Sequence, residues 1–303
     1  MSGPTTQTDT ALLFRSVRAA RSWLRASGND LQRPSGCVTM KPGNAEPPVF
    51  IIPGATGSIL QLAPIAEAIP LAAPVFALRP RGMAGDELPC ERLDEMAAYA
   101  VGLMRTVRPE GPYLLVGYSA GGLVALEMAQ QLTAAGHAVP LVVLLDTYPS
   151  RETWPLFCHL DVLARQALRA LGALARCKPQ QAMAEATRRA RSLVWYLAAS
   201  GMKLVEPPPL IAEGIDPESR RVHVATYNAG EAYRPSRYGG RVVFLQPDEV
   251  PNLEPRTPQL VWRSLLPDLT IRRVPGSHLR MLDEGAAATA AEIGRCVAAA
   301  LSR

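Results

Sequence analysis

Ser119 lies in Gly117-Tyr-Ser-Ala-Gly121, a G-x-S-x-G pentapeptide whose flanks decide its meaning. Upstream, Tyr113-Leu-Leu-Val-Gly117 is an apolar run of strand length; downstream, Leu123, Leu126 and Ala129 recur at helical spacing. A serine between strand and helix must occupy a sharp turn, and the small residues around it let the backbone cross closely while Oγ projects from the sheet. The free N–H groups and positive dipole end of the following helix face the same spot, where a developing oxyanion would be stabilised. Such a context suits a nucleophilic hydroxyl. It does not suit a nucleotide: neither G-x-x-x-x-G-K-[ST] nor G-x-G-x-x-G occurs, so Gly54-Ala-Thr-Gly57 does not read as a phosphate cradle.

A serine hydroxyl needs a base to take its proton near neutral pH, and histidine is the side chain suited to that task. The chain offers His137, His159, His223 and His278. His137 follows Gly136 after the serine helix, at the edge of the sheet away from the nucleophile. His159 and His223 sit among apolar neighbours in a helical block and read as packing or surface residues. His278 follows the last apolar strand in a Pro-Gly-rich loop, at the edge where Ser119 is expected, and is the candidate base. An acid that orients it could come from either of two places. Asp146 follows Leu141-Val-Val-Leu-Leu145 directly, whereas Asp248 and Glu249 follow Val242-Val-Phe-Leu245 in a polar loop. Asp146 is preferred because a carboxylate leaving an apolar strand is desolvated; with either acid the chain order is Ser, Asp, His. The oxyanion donors would be the backbone N–H groups of Ala120, the residue after the nucleophile, and of Ala55, in the loop after an early strand.

The elements that must position these groups alternate. Val49-Phe-Ile-Ile52 reads as a buried strand, followed by a helix through Leu60, Leu62, Ile65 and Ile69; Val75-Phe-Ala-Leu78 is a second strand, and a helix with Met96, Ala97, Ala100 and Met104 leads to the serine strand. This alternation predicts an α/β fold, a mainly parallel doubly wound sheet with its functional groups at the strands' carboxyl ends. Residues 32–48 read as a linker, or an edge strand followed by a turn. From about 150 to 236 no β run is evident. Helical patterning over 163–176 and 182–201, with Glu206-Pro-Pro-Pro209 after it, reads as a helical lid inserted over the strand ends. Strands resume at Gly240–Leu245 and Leu269–Val274, and an Ala-rich helix over 285–301 closes the chain.

Composition narrows the function classes. The 303 residues are 48% hydrophobic with mean hydropathy +0.04, the figures of a globular chain, and no apolar run approaches the ~18 residues needed to span a bilayer. The polar start Ser2–Asp9 lacks the character of a secretion signal. Five scattered cysteines without a C-x-x-C pair suggest neither a disulfide framework nor a metal site, and fit reduced thiols in a cytoplasmic protein. The net charge is +5, with nine basic residues against three acidic ones between Arg151 and Lys203. This excess reads as a solvated helix face, with an acidic partner as the alternative. Aromatic residues are 6% of the chain and do not interleave with basic ones, so nucleic-acid binding is not expected. Residues 9–27 show the spacing of a short basic amphipathic helix ending at Gly28, which with its linker forms an N-terminal segment of residues 1–37 ahead of a catalytic domain over 38–303.

Several stretches together resemble a known family. Ile52-Pro-Gly-Ala-Thr-Gly57, Leu78-Arg-Pro-Arg-Gly82, Gly111-Pro-Tyr-Leu-Leu-Val-Gly-Tyr-Ser-Ala-Gly-Gly122, Leu144-Leu-Asp-Thr-Tyr-Pro149 and Pro275-Gly-Ser-His-Leu-Arg-Met-Leu282 look like the thioesterase domains that terminate nonribosomal peptide and polyketide synthetases. The likeness covers most of residues 38–300. It implies an α/β-hydrolase fold with a helical lid, Asp146 as the triad acid, and no cofactor of the chain's own, the substrate arriving on the phosphopantetheine arm of a carrier protein. With no carrier or condensation module ahead of residue 38, that acyl or peptidyl carrier protein is expected to act in trans. The expected activity is release of an acyl or peptidyl chain by hydrolysis, cyclisation or transfer. The rival readings are a carboxylester hydrolase and a non-catalytic acyl-binding protein of the same fold.

Overall fold

The computed structural model describes residues 36–83, 87–174, 217–250 and 254–302. The predicted N-terminal helix, the helix over 182–201, the Glu206–Pro209 stretch and Cys177 lie outside them. Seven strands among the described residues form one sheet in the order β1-β3-β2-β4-β5-β6-β7: β1 Cys37–Lys41, β2 Val49–Ile52, β3 Val75–Leu78, β4 Leu114–Tyr118, β5 Leu141–Leu145, β6 Val242–Glu249 and β7 Leu269–Ser277. β1 is the antiparallel edge strand and all other pairings are parallel. The connecting helices are α1 Ala63–Ala68, entered through a 3-10 turn at Ile59–Leu62, α2 Leu93–Val107, α3 Ala120–Ala134, α4 Leu156–Leu174, α5 Pro217–Ala232, α6 Pro258–Trp262 and α7 Ala286–Leu301.

The uninterrupted apolar runs of β2, β4 and β5 follow from coverage on both faces of a parallel sheet, and every residue of these strands is buried. Alternate side chains feed two cores. Phe50, Leu115, Val142 and Phe244 meet Leu126, Met104 and Ala97 from α3 and α2 on one face. Val49, Ile51, Val116, Val143 and Leu245 meet Ile65 of α1 and Ile293 and Val297 of α7 on the other.

Three boundaries differ from expectation. α4 begins at Leu156 rather than near residue 163. β6 continues through Gln246-Pro-Asp-Glu249, which reads as loop because proline cannot donate to a ladder. Here β5 has already ended, so beyond Leu245 the strand pairs only with β7 and Pro247 stands opposite Val274. β7 likewise runs on to Ser277, with Gly276 at φ 95°, and carries the chain to His278.

Candidate active site

Parallel register aligns the site. Tyr118 pairs with Leu145 at the ends of β4 and β5, so Ser119 and Asp146 are the next residues on adjacent strands. The Ser119 N–H donates to the Leu145 carbonyl at 2.9 Å, and the Asp146 N–H donates to the Leu245 carbonyl at 3.0 Å. Both residues leave the sheet with positive φ, 53° at Ser119 and 47° at Asp146. For residues with a Cβ this costs about 1–3 kcal/mol each, and the surroundings must hold them there.

The clamp is visible in what surrounds Ser119. A Cβ on Gly117 would fall 2.4 Å from the Gly121 carbonyl oxygen, and one on Gly121 would fall 2.1 Å from that of Pro53, so the crossing of strand, turn and helix requires both glycines. Thr147 donates its hydroxyl to the Ser119 carbonyl at 3.0 Å and occupies the space that a side chain at position 122 would need. The loop after β2 lies directly alongside: a Cβ on Gly54 would stand 3.4 Å from Cβ of Ser119. Ala55, the expected second oxyanion donor, belongs to that loop, and Ala120 opens α3.

His278 reaches back from the end of β7. Its Nδ1 and Oδ2 of Asp146 are 2.7 Å apart, with the Asp146 side chain 1% exposed and the imidazole 27% exposed. A dry carboxylate at this distance holds a proton on Nδ1 and leaves Nε2 as the basic nitrogen. Burial lowers the imidazole pKa, but the Asp146 hydrogen bond and charge, joined by Glu254, outweigh it and leave the pKa raised. The alternative acids do not reach the histidine. Asp248 faces Arg273 at 3.8 Å and Glu249 faces Arg280 at 3.5 Å, all four side chains well exposed.

The other histidines are placed elsewhere. His137 lies 3.5 Å from Glu110 and against the Tyr113 ring, next to the amino end of β4. His159 packs beside Trp154, and His223 is buried on α5.

Three groups that the sequence reading did not single out complete the surroundings. Tyr118, inside the serine motif, donates its hydroxyl to the His278 carbonyl at 3.0 Å, with the two rings 4.8 Å apart. Burial raises its phenol pKa far above the usual range, so it is a neutral donor. Trp262 of α6, fully buried, donates Nε1–H to the Thr147 carbonyl at 3.1 Å and props the loop that carries Asp146. Glu254 is the third. Burial pushes its pKa up to about 7, with the Asp146 charge adding to the rise and His278, Arg151 and Arg165 opposing it. Its Oε2 is shielded from solvent and meets no hydrogen-bond donor among the described residues. Tyr118 was readable in principle, since an aromatic residue beside the nucleophile must face either the core or the base. Glu254 and Trp262 carry no local signal.

Among the described residues no cluster of His, Cys, Asp or Glu could hold a metal ion, and no helix is long and apolar enough to cross a membrane. Cys37, Cys90, Cys158 and Cys296 are free thiols.

Comparison with known proteins bears on the family and the fold. The thioesterase domain family matches residues 47–296. The dimodular nonribosomal peptide synthase of Bacillus subtilis (strain 168) is 30% identical over 215 residues, 71% of this chain and 9% of that protein. Polyketide synthase PksR of the same strain is 32% identical over 116 residues, 38% of this chain and 4% of that protein. The chain thus spans less than a tenth of the length of these two relatives. Among solved structures, the NocB thioesterase domain in covalent complex with a fluorophosphonate nocardicin G analogue superposes with TM-score 0.58 at 28% identity, over 86% of this chain and 99% of that one. The type II thioesterase YbtT from the yersiniabactin pathway shares the fold, with TM-score 0.55 at 19% identity over 88% of this chain and 99% of that one.

Proposed function

The chain belongs to the thioesterase domain family, and from that premise we propose that Ser119, His278 and Asp146 form its triad and release an acyl or peptidyl chain from the phosphopantetheine thioester of a carrier protein. The observation that supports this most is the 2.7 Å contact between a dry Asp146 and a partly exposed His278, at the sheet edge where Ser119 is held at φ 53°.

The Ser119 hydroxyl attacks the thioester carbon as His278 Nε2 takes its proton. The tetrahedral oxyanion is met by the N–H groups of Ala55 and Ala120. The C–S bond then breaks, the imidazolium returns the proton to the departing thiolate, and the acyl group remains on Oγ. In the second half His278 deprotonates water, or an amine or hydroxyl of the chain itself. That nucleophile displaces Ser119, which recovers its proton. Asp146 keeps the imidazole in the correct tautomer and stabilises the cation formed in each half. The relatives' names support a carrier protein of nonribosomal peptide or polyketide synthesis as the partner.

Intact-mass spectrometry after mixing with acyl- and peptidyl-loaded carrier proteins tests the reading. The wild type should gain the acyl mass and unload the carrier; Ser119→Ala should do neither while folding normally. Equal unloading by the two proteins would refute the role of Ser119. Cleavage of simple oxoesters in preference to matched thioesters would move the substrate to the carboxylester class.

A further inference from the structure

Beside the loop that carries Gly54 and Ala55 lies a pocket partly open to solvent. Pro53, Gly54, Arg79, Tyr99, Val124 and Val222 are among the residues that line it, and its surface is mainly apolar. Gly54 also borders the candidate nucleophile, since a Cβ on it would stand 3.4 Å from Cβ of Ser119, so the pocket and the site share that loop.

Arg79 is out of character with such a lining. It is half-buried, and burial disfavours its charged form, with Tyr99 the one group opposing that effect. No carboxylate of the described residues pairs with it. Arg81 also lines the pocket, but it is exposed and stands 3.8 Å from Glu87, which answers its charge. Tyr99, whose phenol burial holds neutral, supplies an O–H donor on the same wall. A half-buried guanidinium in a mostly apolar pocket, paired with no carboxylate of the described residues, is suited to an anion that offers two oxygens.

Strand register sets how far that anion lies from the reaction. Ile51 pairs with Ala77 of β3, and Ile52 with Gly117 of β4. One further step brings Pro53 abreast of both Arg79 and Tyr118, the neighbour of Ser119. Arg79 and Ser119 thus leave the sheet two strand spacings apart, about 10 Å between backbones. A gap of that size is within the span of a short acyl chain on Ser119 Oγ. The phosphate of a phosphopantetheine arm sits two amide units beyond the sulfur, on the leaving-group side.

We infer that this pocket receives the acyl part of the substrate and selects chains ending in a carboxylate, with Arg79 as the specificity residue and Tyr99 as its second donor. The inference rests on the thioesterase reading and names the substrate class for the same site.

The test compares adipyl and glutaryl thioesters with their terminal carboxamides, each on pantetheine and on phosphopantetheine. The wild type should favour the carboxylate in kcat/KM, and Arg79→Met should reduce the carboxylate-to-carboxamide ratio by about 10- to 100-fold, the worth of one charge-assisted pair. Arg79→Lys should restore part of the ratio, and both variants are checked for unchanged circular dichroism and Tm. Equal kcat/KM for acid and amide in the wild type, or equal losses for both in Arg79→Met, would overturn the assignment. So would an Arg79 effect seen only with phosphopantetheine, which would give the guanidinium to the arm. Binding of the same compounds to Ser119→Ala, with and without Arg79→Met, separates the two levels of argument. Selective binding of the acid without turnover by the wild type would sink the thioesterase reading and keep the pocket. Turnover with no selectivity in binding or in kcat/KM would do the reverse.

Discussion

Asp146→Asn isolates the acid from everything else in the site, because an amide fills the same space without the charge. Asp146 Oδ2 lies 2.7 Å from His278 Nδ1, and its side chain is 1% exposed. With the charge centres of a carboxylate and an imidazolium roughly 4 Å apart and an effective dielectric of ~20, the lost attraction is about 4 kcal/mol. That corresponds to roughly a thousandfold in rate. The amide adds a second penalty: it can donate to Nδ1, which places the imidazole proton on Nε2 and removes the base. In serine proteases with this arrangement the equivalent change costs roughly 10⁴-fold in kcat, so a loss of about 10³- to 10⁴-fold is expected here. Asp248→Asn serves as the matched control. Asp248 is 55% exposed and 3.8 Å from Arg273, and an exposed pair of that kind is worth under about 1 kcal/mol. The assay is kcat/KM on an acyl-pantetheine thioester, read beside the rate of fluorophosphonate labelling at Ser119 and circular dichroism of each variant. If folded Asp146→Asn retains activity within tenfold of wild type, or Asp248→Asn loses a hundredfold, the acid is misassigned.

The pH profile carries a further expectation. His278 must be neutral to act as base, and its pKa is raised once the Asp146 bond and charge and the Glu254 charge outweigh burial; the acid limb of kcat/KM should therefore fall above the ordinary imidazole value of 6.5. Glu254→Gln removes one of those charges and should move that limb to lower pH, while an unmoved limb would show that Glu254 is electrostatically silent. Glu254 also has a stability signature: its folded pKa is raised from 4.5 to about 7 by burial, so the protonated form is favoured on folding. Wild type should then lose stability relative to Glu254→Gln as pH rises from 5 through 7, and a Tm difference that is flat across that window would contradict this. Gly122→Ala places a Cβ 2.0 Å from the Thr147 hydroxyl oxygen and should destabilise by about 1–3 kcal/mol through overpacking. Combining it with Thr147→Ala should recover part of that in denaturant unfolding, and strict additivity would show that the two do not meet.

The strands that bear Ser119 and Asp146 were legible because fully buried parallel strands leave an unmistakable record: Leu114-Leu-Val and Leu141-Val-Val-Leu-Leu145 are apolar at every position. His278 was legible by elimination, since chain order put only one histidine after the final strand. Sequence could rank Asp146 above Asp248 by desolvation, but could not show that Asp248 and Glu249 are drawn outward to Arg273 and Arg280. The buttress was hidden for a different reason. α6 is a five-residue helix, too short for periodicity to register, and Trp262 acts through one indole bond to a carbonyl that any residue could supply. Glu254 sits among prolines and polar residues, where burial is imposed by tertiary packing and leaves no trace in local composition.

The contacts divide the site into a stiff part and an adjustable part. Ser119 and Asp146 are tied twice: the Ser119 N–H donates to the residue before Asp146, and the hydroxyl of the residue after Asp146 donates to the Ser119 carbonyl. Nucleophile and acid therefore move as one body, and the conformational cost of both positive φ angles is borne by the same sheet edge. His278 belongs to a separate loop after β7, held to that body by the Asp146 contact and by Tyr118. Tyr118 bonds the His278 backbone and lays its ring against the imidazole at 4.8 Å, so it fixes the loop and backs one face of the ring, while the Asp146 bond sets the tautomer. In the proposed mechanism the base carries a proton from Ser119 to the leaving thiolate, and later from the incoming nucleophile back to Ser119, and that division would serve it. Its backbone is held by the Tyr118 hydroxyl and its tautomer by Asp146, two separate contacts that a single substitution does not remove together.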